Sequence, residues 1–483
     1  MTGETQEQIY DVIIIGGGPA GLAVGSELSR LGHKILIIEK NEVGITHRSW
    51  LVPGQIIAKL EPDVQQFAYN GVKRFLEYTS DEFQIKWDAA APWDVDEEWK
   101  RYPYIRQKEL LTFWADRIKS TGSEIKNHCM YLDYSKENDI TTVQTLSTEG
   151  NETRELHKTR LLIDASGNKS ELAKANGLNR DGYFYWSVFG YEIEFDDVTK
   201  VKHPGKLGNM EVGDYMLWYS QDDFPLNKDL TLAELRPVIE YEVLDENRIF
   251  MFILFFTKEM LEYDYMKSQY DYIMKYTGCG SLFEGGKTGT NRYGWYPSNS
   301  VSQKLAKDHL AFIGDAGCWT APDGFGMSFV LNNYQVYSKH IHHALNENKL
   351  DADTLNKATE FNTRQKYNIM LDKLVMHFLA YAPQSLINRF TNTMFPNGQF
   401  NKSAGKMIEL MFCLDLTEEE AIENLKQVFK AFTLKELHSV FKDKGDYELL
   451  LEVGKEFIET SIIDKILSFL GFKTEKLGFE FKE

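Results

Sequence analysis

The chain has 483 residues, more than a single simple core needs, so two or three substructures are expected. Its formal net charge of −18, with no basic block, argues against a nucleic-acid partner, because such a surface repels phosphate. Cys129, Cys279, Cys318 and Cys413 stand far apart with no C-x-x-C pair, so neither a metal site nor a disulfide framework is expected, and a cytoplasmic setting fits best.

Only a short polar segment precedes the first apolar run, so no secretory signal or transit peptide is expected. That run, Val12–Ile15, is β-branched and bounded by glycine, the pattern of a parallel strand buried on both faces. Gly16, Gly18 and Gly21 follow in G-x-G-x-x-G spacing, with Pro19 and Ala20 inside the motif. Leu22–Leu31 carries helical spacing, Gly32 ends it, and "KILIIE" forms a second strand closing on Glu39, just before Lys40.

Each piece has a physical role in holding a dinucleotide. Gly16 permits the tight turn, Gly18 lets backbone approach a pyrophosphate, and Gly21 lets the helix sit close to the strand. The helix N-terminus offers free N–H groups and a partial positive charge. Glu39 falls near the usual distance, about 20 residues, for an acid on a ribose hydroxyl, and it disfavours a 2′-phosphate. This unit alone leaves FAD and NAD open.

Tyr102–Arg117 then reads as a strand followed by a helix, with Arg106 at the junction. In "RLLIDASGNKSELAK" an apolar strand ends in Asp164-Ala-Ser-Gly167, and Ser170 starts a helix. The stretch from 176 to 284 reads as strands, "YWSVFGYEIEF", "YMLWYS" and "RIFMFILFF", with a helical insertion near Tyr263–Tyr276. "PGKLGNMEVGD" is a turn-rich connection, and Glu192 and Glu194 share one strand face, by default the solvent side. Trp186, Trp218, Phe255, Phe256 and Trp295, with Trp319 further on, are the candidates to line an apolar pocket; each also reads as ordinary core.

Near the end of the α/β pattern lies "GDAGCWTAPDGFG", Gly314–Gly326, after the apolar run "LAFI". Gly314, Asp315, Gly324, Phe325 and Gly326 make a loop in which backbone can approach a ligand closely. Asp323 is either a turn aspartate, the favoured reading, or a carboxyl desolvated by Trp319 and Phe325 that serves as a catalytic acid. After 351 the pattern is mainly helical, most strongly over Glu418–Ala431. Ile462–Phe472 is the most membrane-like stretch, a docked C-terminal helix or a peripheral membrane contact; no apolar run reaches the ~20 residues of a membrane span.

The stretches at 11–40, 160–174 and 313–326 together resemble the three fingerprints of FAD enzymes related to para-hydroxybenzoate hydroxylase. The resemblance implies an α/β fold whose Rossmann-type FAD-binding domain is discontinuous, over 1–60, 100–175 and 285–350. A mixed or antiparallel sheet at 176–284 would take the substrate, and 351–483 would form a helical cap. It further implies FAD as cofactor, Asp315 on the ribityl chain and Arg106 in contact with the cofactor, with Asp164 and Gly167 in the binding set. NAD(P)H is a candidate external reductant, but the chain shows no second nucleotide fingerprint, so the source of electrons is left open.

Over most of its length the chain also resembles the plant- and cyanobacterial-type lycopene cyclases, through "PAGLAVGSELSRLG", "LIDASGNKS", "YWSVFGYEIEFDD", "ENRIFMFILFFTKEM" and the C-terminal stretch from "MIELMF". Geranylgeranyl reductases and flavin halogenases share that scaffold. The cyclases carry a Phe-Leu-Glu-Glu-Thr signature whose glutamate protonates the polyene; here the register reads Ile253-Leu254-Phe255-Phe256-Thr257, without an acid. The absence of a Trp-x-Trp-x-Ile-Pro stretch counts against the tryptophan-type halogenases. The expected function is therefore a flavoenzyme that oxygenates or reduces an apolar, isoprenoid or polyene-like small molecule. A non-redox carotenoid cyclase using reduced FAD and a non-catalytic flavin-binding protein are the alternatives. Oligomeric state is left open.

Overall fold

The structure is a computed structural model. It describes residues 8–44, 49–80, 83–88, 102–150, 152–177, 184–219, 237–257, 259–298, 306–319, 326–359, 381–394, 433, 435–436 and 440. Asp323, Gly324 and Phe325, the Glu418–Ala431 helix and the Ile462–Phe472 stretch lie outside the described residues.

In chain order the elements begin with β1 (Ile9–Ile15), α1 (Pro19–Arg30), β2 (Ile35–Ile38), β3 (Ser49–Leu51), α2 (Gly54–Lys59), α3 (Pro62–Gln65) and β4 (Ala68–Val72). There follow β5 (Arg74–Ser80), β6 (Phe83–Asp88), β7 (Tyr102–Arg106) and α4 (Gln107–Ser120). Next come β8 (Glu124–Lys126), β9 (Cys129–Glu137), β10 (Ile140–Ser147), β11 (Thr153–Asp164) and α5 (Glu171–Ala175). The middle holds β12 (Phe184–Glu194), β13 (Asp214–Trp218), β14 (Val238–Val243), β15 (Arg248–Thr257), α6 (Tyr263–Tyr276), α7 (Gly278–Leu282) and β16 (Lys287–Ser298). The last are β17 (Ala306–Lys307), β18 (Leu310–Phe312), α8 (Gly326–Asn346), α9 (Ala352–Lys357) and α10 (Gln384–Met394).

These elements divide between two units, residues 1–71, 97–182 and 296–366 in the first and 72–96, 183–295 and 367–483 in the second. In the first, β18, β11, β1, β2 and β8 lie side by side and parallel, while β9 and β10 continue antiparallel from β11. β1 is buried on both faces because each has a cover. On one side Ile13 and Ile15 pack with Val143 and Phe312. On the other, a Cβ built on Gly25 of α1 would stand 3.0 Å from Ile37 and 3.2 Å from Ile14, so the small residue sets how closely the helix lies on the sheet. α1 packs in turn against α4 and α8.

The second unit is a seven-stranded sheet in the order β16-β12-β15-β14-β13-β5-β6. Its pairings are antiparallel at β12–β15, β15–β14, β14–β13 and β5–β6, and parallel at β13–β5. One face carries Leu76, Met216, Tyr241, Met251, Ile253 and Phe255 and packs with Met266, Tyr270 and Ile273 of α6 and Cys279 of α7 into a core. The helix expected near Tyr263–Tyr276 is α6. Two boundaries drawn from sequence are corrected. β16 joins the second sheet rather than the first unit, and β5 and β6, which sequence left unassigned, complete that sheet.

Candidate functional site

Three loops leave the C-terminal ends of three adjacent parallel strands of the first unit. The register places Ile15 beside Asp164 and Asp164 beside Phe312, so β1, β11 and β18 end level. Backbone bonds stitch the strand ends together: Gly16 N–H to Ile38 O at 2.8 Å, Ala165 N–H to Ile15 O at 2.7 Å, and Ile313 N–H to Asp164 O at 2.9 Å. In an open parallel sheet this edge is where ligands bind.

The glycines of the first loop differ in what surrounds them. Gly16 has φ +104°, and a Cβ there would stand 2.4 Å from Ala165 O; at Gly21 it would stand 2.0 Å from Gly16 O. Both positions are closed to any larger side chain by backbone. At Gly18 a Cβ would meet nothing within 4 Å. Gly18 is also the N-cap of α1, with Pro19 in the first turn and no side-chain cap, so the helix N-terminus keeps its donors free for an anion. Ala20 beside it is buried. This combination, a shielded turn, an open glycine and an uncapped helix, fits a pyrophosphate.

Glu39 follows β2. Its Oε2 accepts Gly17 N–H at 2.7 Å and its Oε1 accepts Asn41 N–H at 2.8 Å. Each carboxylate oxygen retains a second lone-pair site, so the side chain can hold the turn and still accept a ribose hydroxyl. Lys40 is exposed.

In the second loop Asp164 is 0% exposed. Its Oδ1 accepts Ser166 N–H at 2.9 Å and its Oδ2 accepts the hydroxyl of Ser170, which caps α5 by accepting Ala173 N–H at 2.9 Å. Its carboxylate thus ties the loop to the start of α5. Gly167 has φ +85° and no atom within 4 Å of a built Cβ.

In the third loop Gly314–Gly317 forms a single turn of 3₁₀ helix ended by Cys318 in the left-handed region, φ +58°. Gly314 has φ +60°, and a Cβ there would stand 2.7 Å from Ala20 Cβ, so loops one and three touch at that point. Asp315 is half-buried in this turn. Gly326 begins α8. Arg106, the N-cap residue of α4, is exposed, with its guanidinium 4.8 Å from the ring centre of Tyr69.

The expected pocket aromatics separate. Trp319 is 0% exposed, with ring centres 6.3 Å from Phe329 and 5.1 Å from Tyr337. Phe255 at 0% and Trp218 at 3% belong to the helix-backed core of the second sheet. For these three the expectation of pocket lining is corrected to core packing. Trp186 and Phe256 are a cross-strand pair on the opposite sheet face, 4.8 Å apart. Trp295 is half-buried on β16.

Two polar groupings escaped sequence reasoning. His203 and Asp214 are both 0% exposed and bonded at 2.8 Å; His203 Nδ1 also lies 2.7 Å from the Tyr241 hydroxyl, and Asp214 is gripped by Arg74 at 2.5 Å through each oxygen. Glu77 of β5 is half-buried, and burial pushes its carboxyl up to about 7.

Residues 13–102 match a family model described as pyridine nucleotide-disulphide oxidoreductase. Among curated proteins, conditioned medium factor receptor 1 of Dictyostelium discoideum is 25% identical over 186 residues, 35% of this chain and 36% of that protein. The chain thus matches only about a third of that relative's length. A geranylgeranyl bacteriochlorophyll reductase-like protein from Thermoplasma acidophilum superposes with a TM-score of 0.65 at 16% identity, covering 87% of this chain and all of that one. The flavin-dependent brominase Bmp2 gives 0.59 at 15%, covering 88% and 99%. The halogenase PltM in complex with phloroglucinol and FAD gives 0.61 at 13%, covering 93% and 97%. At these identities the likeness establishes a fold: a mixed α/β architecture with a Rossmann-like parallel sheet and antiparallel strands, shared with this reductase-like protein and these halogenases.

Proposed function

We infer that the chain is an FAD-dependent oxidoreductase. The carrying observation is the level ending of β1, β11 and β18, which sets the loops at Gly16–Gly21, Asp164–Gly167 and Gly314–Gly317 along one edge. The uncapped α1 N-terminus would face the pyrophosphate, Glu39 the ribose and Asp315 the ribityl hydroxyls. Bound flavin would supply the electron transfer, and the protein orientation and exclusion of water. Arg106 stands ready as a cationic contact at the start of α4.

The substrate in this reading is an uncharged, apolar molecule of isoprenoid or polyene type, modified by reduction of a double bond or by oxygenation. The acidic chain disfavours anionic substrates, and the likeness to the geranylgeranyl bacteriochlorophyll reductase-like protein agrees with reduction. The cyclase alternative stands second, because Phe255 and Phe256 occupy the register where the cyclase signature carries acids and neither can give up a proton.

Reconstitution with FAD, followed by the flavin absorption of the desalted protein, tests the first part. A protein that stays colourless overturns it. Oxygen uptake or substrate reduction coupled to NAD(P)H oxidation supports redox chemistry; a product of unchanged mass from lycopene favours cyclisation.

A further inference from the structure

The face of the second sheet opposite its helix-backed core carries one continuous row of residues across five strands. The register runs Glu77 on β5, Leu217 on β13, Glu240 on β14, Phe252 on β15 and Gly190 on β12. Leu76 and Tyr78 point into the core, so Glu77 between them points the other way. Tyr219 N–H donates to Tyr78 O at 2.9 Å, which sets Tyr219 one row further along the same face.

Glu77, Leu217 and Glu240 are half-buried, whereas Phe252 at 8% and Leu254 at 4% are buried. No hydrogen-bond donor among the described residues reaches the Glu77 carboxylate. A desolvated carboxyl without a donor keeps its proton and becomes a donor itself. Burial raises it to about 7, and the nearby hydroxyl of Tyr219 is raised as well, by burial and then by the charge of Glu77. Around it, Tyr219 follows β13, β14 brings Glu240, β6 places Ile85 opposite, and α10 brings Gln384, which donates to Thr79 O at 3.0 Å.

We propose that Glu77 is the hydrogen-bond-donating anchor of a binding site on this sheet face for an uncharged, mostly hydrocarbon ligand carrying one acceptor oxygen. The acid fixes the polar end, and Leu217 and Phe252 receive the hydrocarbon. The inference deepens the proposed function by naming the ligand class, and it rests on that reading only for calling the ligand a substrate.

Infrared difference spectroscopy on the full chain, wild type against Glu77→Gln, reads the C=O stretch of a protonated carboxyl. The expected result is a band present below about pH 7, absent from the variant, and displaced by geraniol but not by geranic acid, which has the same skeleton with a carboxylate. If Glu77→Gln fails to fold, the pH titration and geraniol response of the wild type decide. Leu217→Trp, which fills the row, should keep the titrating band and lose the geraniol response. A missing band, or one indifferent to geraniol, overturns the proposal. FAD uptake by the same samples reports separately on the flavin reading: a responsive band in a protein that takes up no FAD upholds the site and removes the cofactor.

Discussion

A Cβ placed on Gly21 would stand 2.0 Å from the carbonyl oxygen of Gly16, while one placed on Gly18 would touch nothing within 4 Å. The first contact is with a backbone carbonyl, so no neighbouring side chain can rotate away to relieve it. Gly21→Ala is therefore expected to cost about 1–3 kcal/mol of stability and to lose flavin, seen as a lower Tm and a colourless protein. Gly18→Ala should keep the Tm and lose flavin affinity alone. Equal losses of Tm in both variants would refute the division of labour between the two glycines.

Asp164 and Asp315 separate in the same way. Asp164 is buried with both oxygens engaged, so Asp164→Ala leaves Ser166 N–H and the Ser170 hydroxyl without their acceptor and should cost about 1–3 kcal/mol in a urea melt. Asp315→Ala should reduce bound FAD. Full flavin occupancy in Asp315→Ala would remove that residue from the cofactor site.

The His203–Asp214–Arg74 grouping is a buried ionic network, and breaking one member strands the others. Asp214→Ala is expected to destabilise by about 3–5 kcal/mol, measured as a shift of the urea midpoint. Burial alone would raise the Asp214 carboxyl, but the bonds from His203 and Arg74 outweigh it and hold the group below the ordinary carboxylate range. Its contribution is therefore complete above the unfolded carboxylate pKa and disappears as pH falls through the folded one, so acid unfolding should begin at higher pH in Asp214→Asn than in the wild type.

His33 titrates in the other accessible window. It is buried, with Nε2 2.9 Å from His342 Nδ1, and burial lowers its pKa, against the opposing pull of Asp11. The unfolded chain then binds more protons than the folded one between the folded value and 6.5, the ordinary value. Stability should be fully present above about 6.5 and fall as pH drops, by at most ~1.4 kcal/mol per pH unit from this group. His33→Gln should flatten the slope; an unchanged slope in the Tm against pH series would exclude His33 as its source.

The parts that sequence made legible were those with local causes. β1, the glycine turn and α1 follow from a β-branched run, three spaced glycines and a helical stripe within some twenty residues, and α6 followed from its own periodicity. The parts that escaped depend on partners far along the chain. His203 and Asp214 sit in a stretch that reads as turns, and Arg74 lies more than a hundred residues before them. β16, "KTGTNRYGWYPS", is polar and lacks clean alternation, so nothing local said that it would lie beside β12. Glu77 reads as a surface acid until β13 is known to pair with β5 and turn it to the same face as Tyr219. Trp218 and Phe255 looked like pocket walls because aromatic residues look alike in sequence whether they face a ligand or helix α6. Glu192 was given to solvent, and it is instead half-buried and bonded to Arg292 at 2.6 Å.

The parallel joining of β13 to β5 has a consequence for handling the protein. The hairpin of β5 and β6 at 74–88 is made before β11 and β18 exist, yet it belongs to a sheet whose five other strands begin at residue 184. No single excised fragment contains all the strands of one unit without also carrying part of the other. Truncation libraries and split-gene expression should therefore give insoluble pieces, and during synthesis on the ribosome the free edge of β5 must wait for β13, translated more than a hundred codons later.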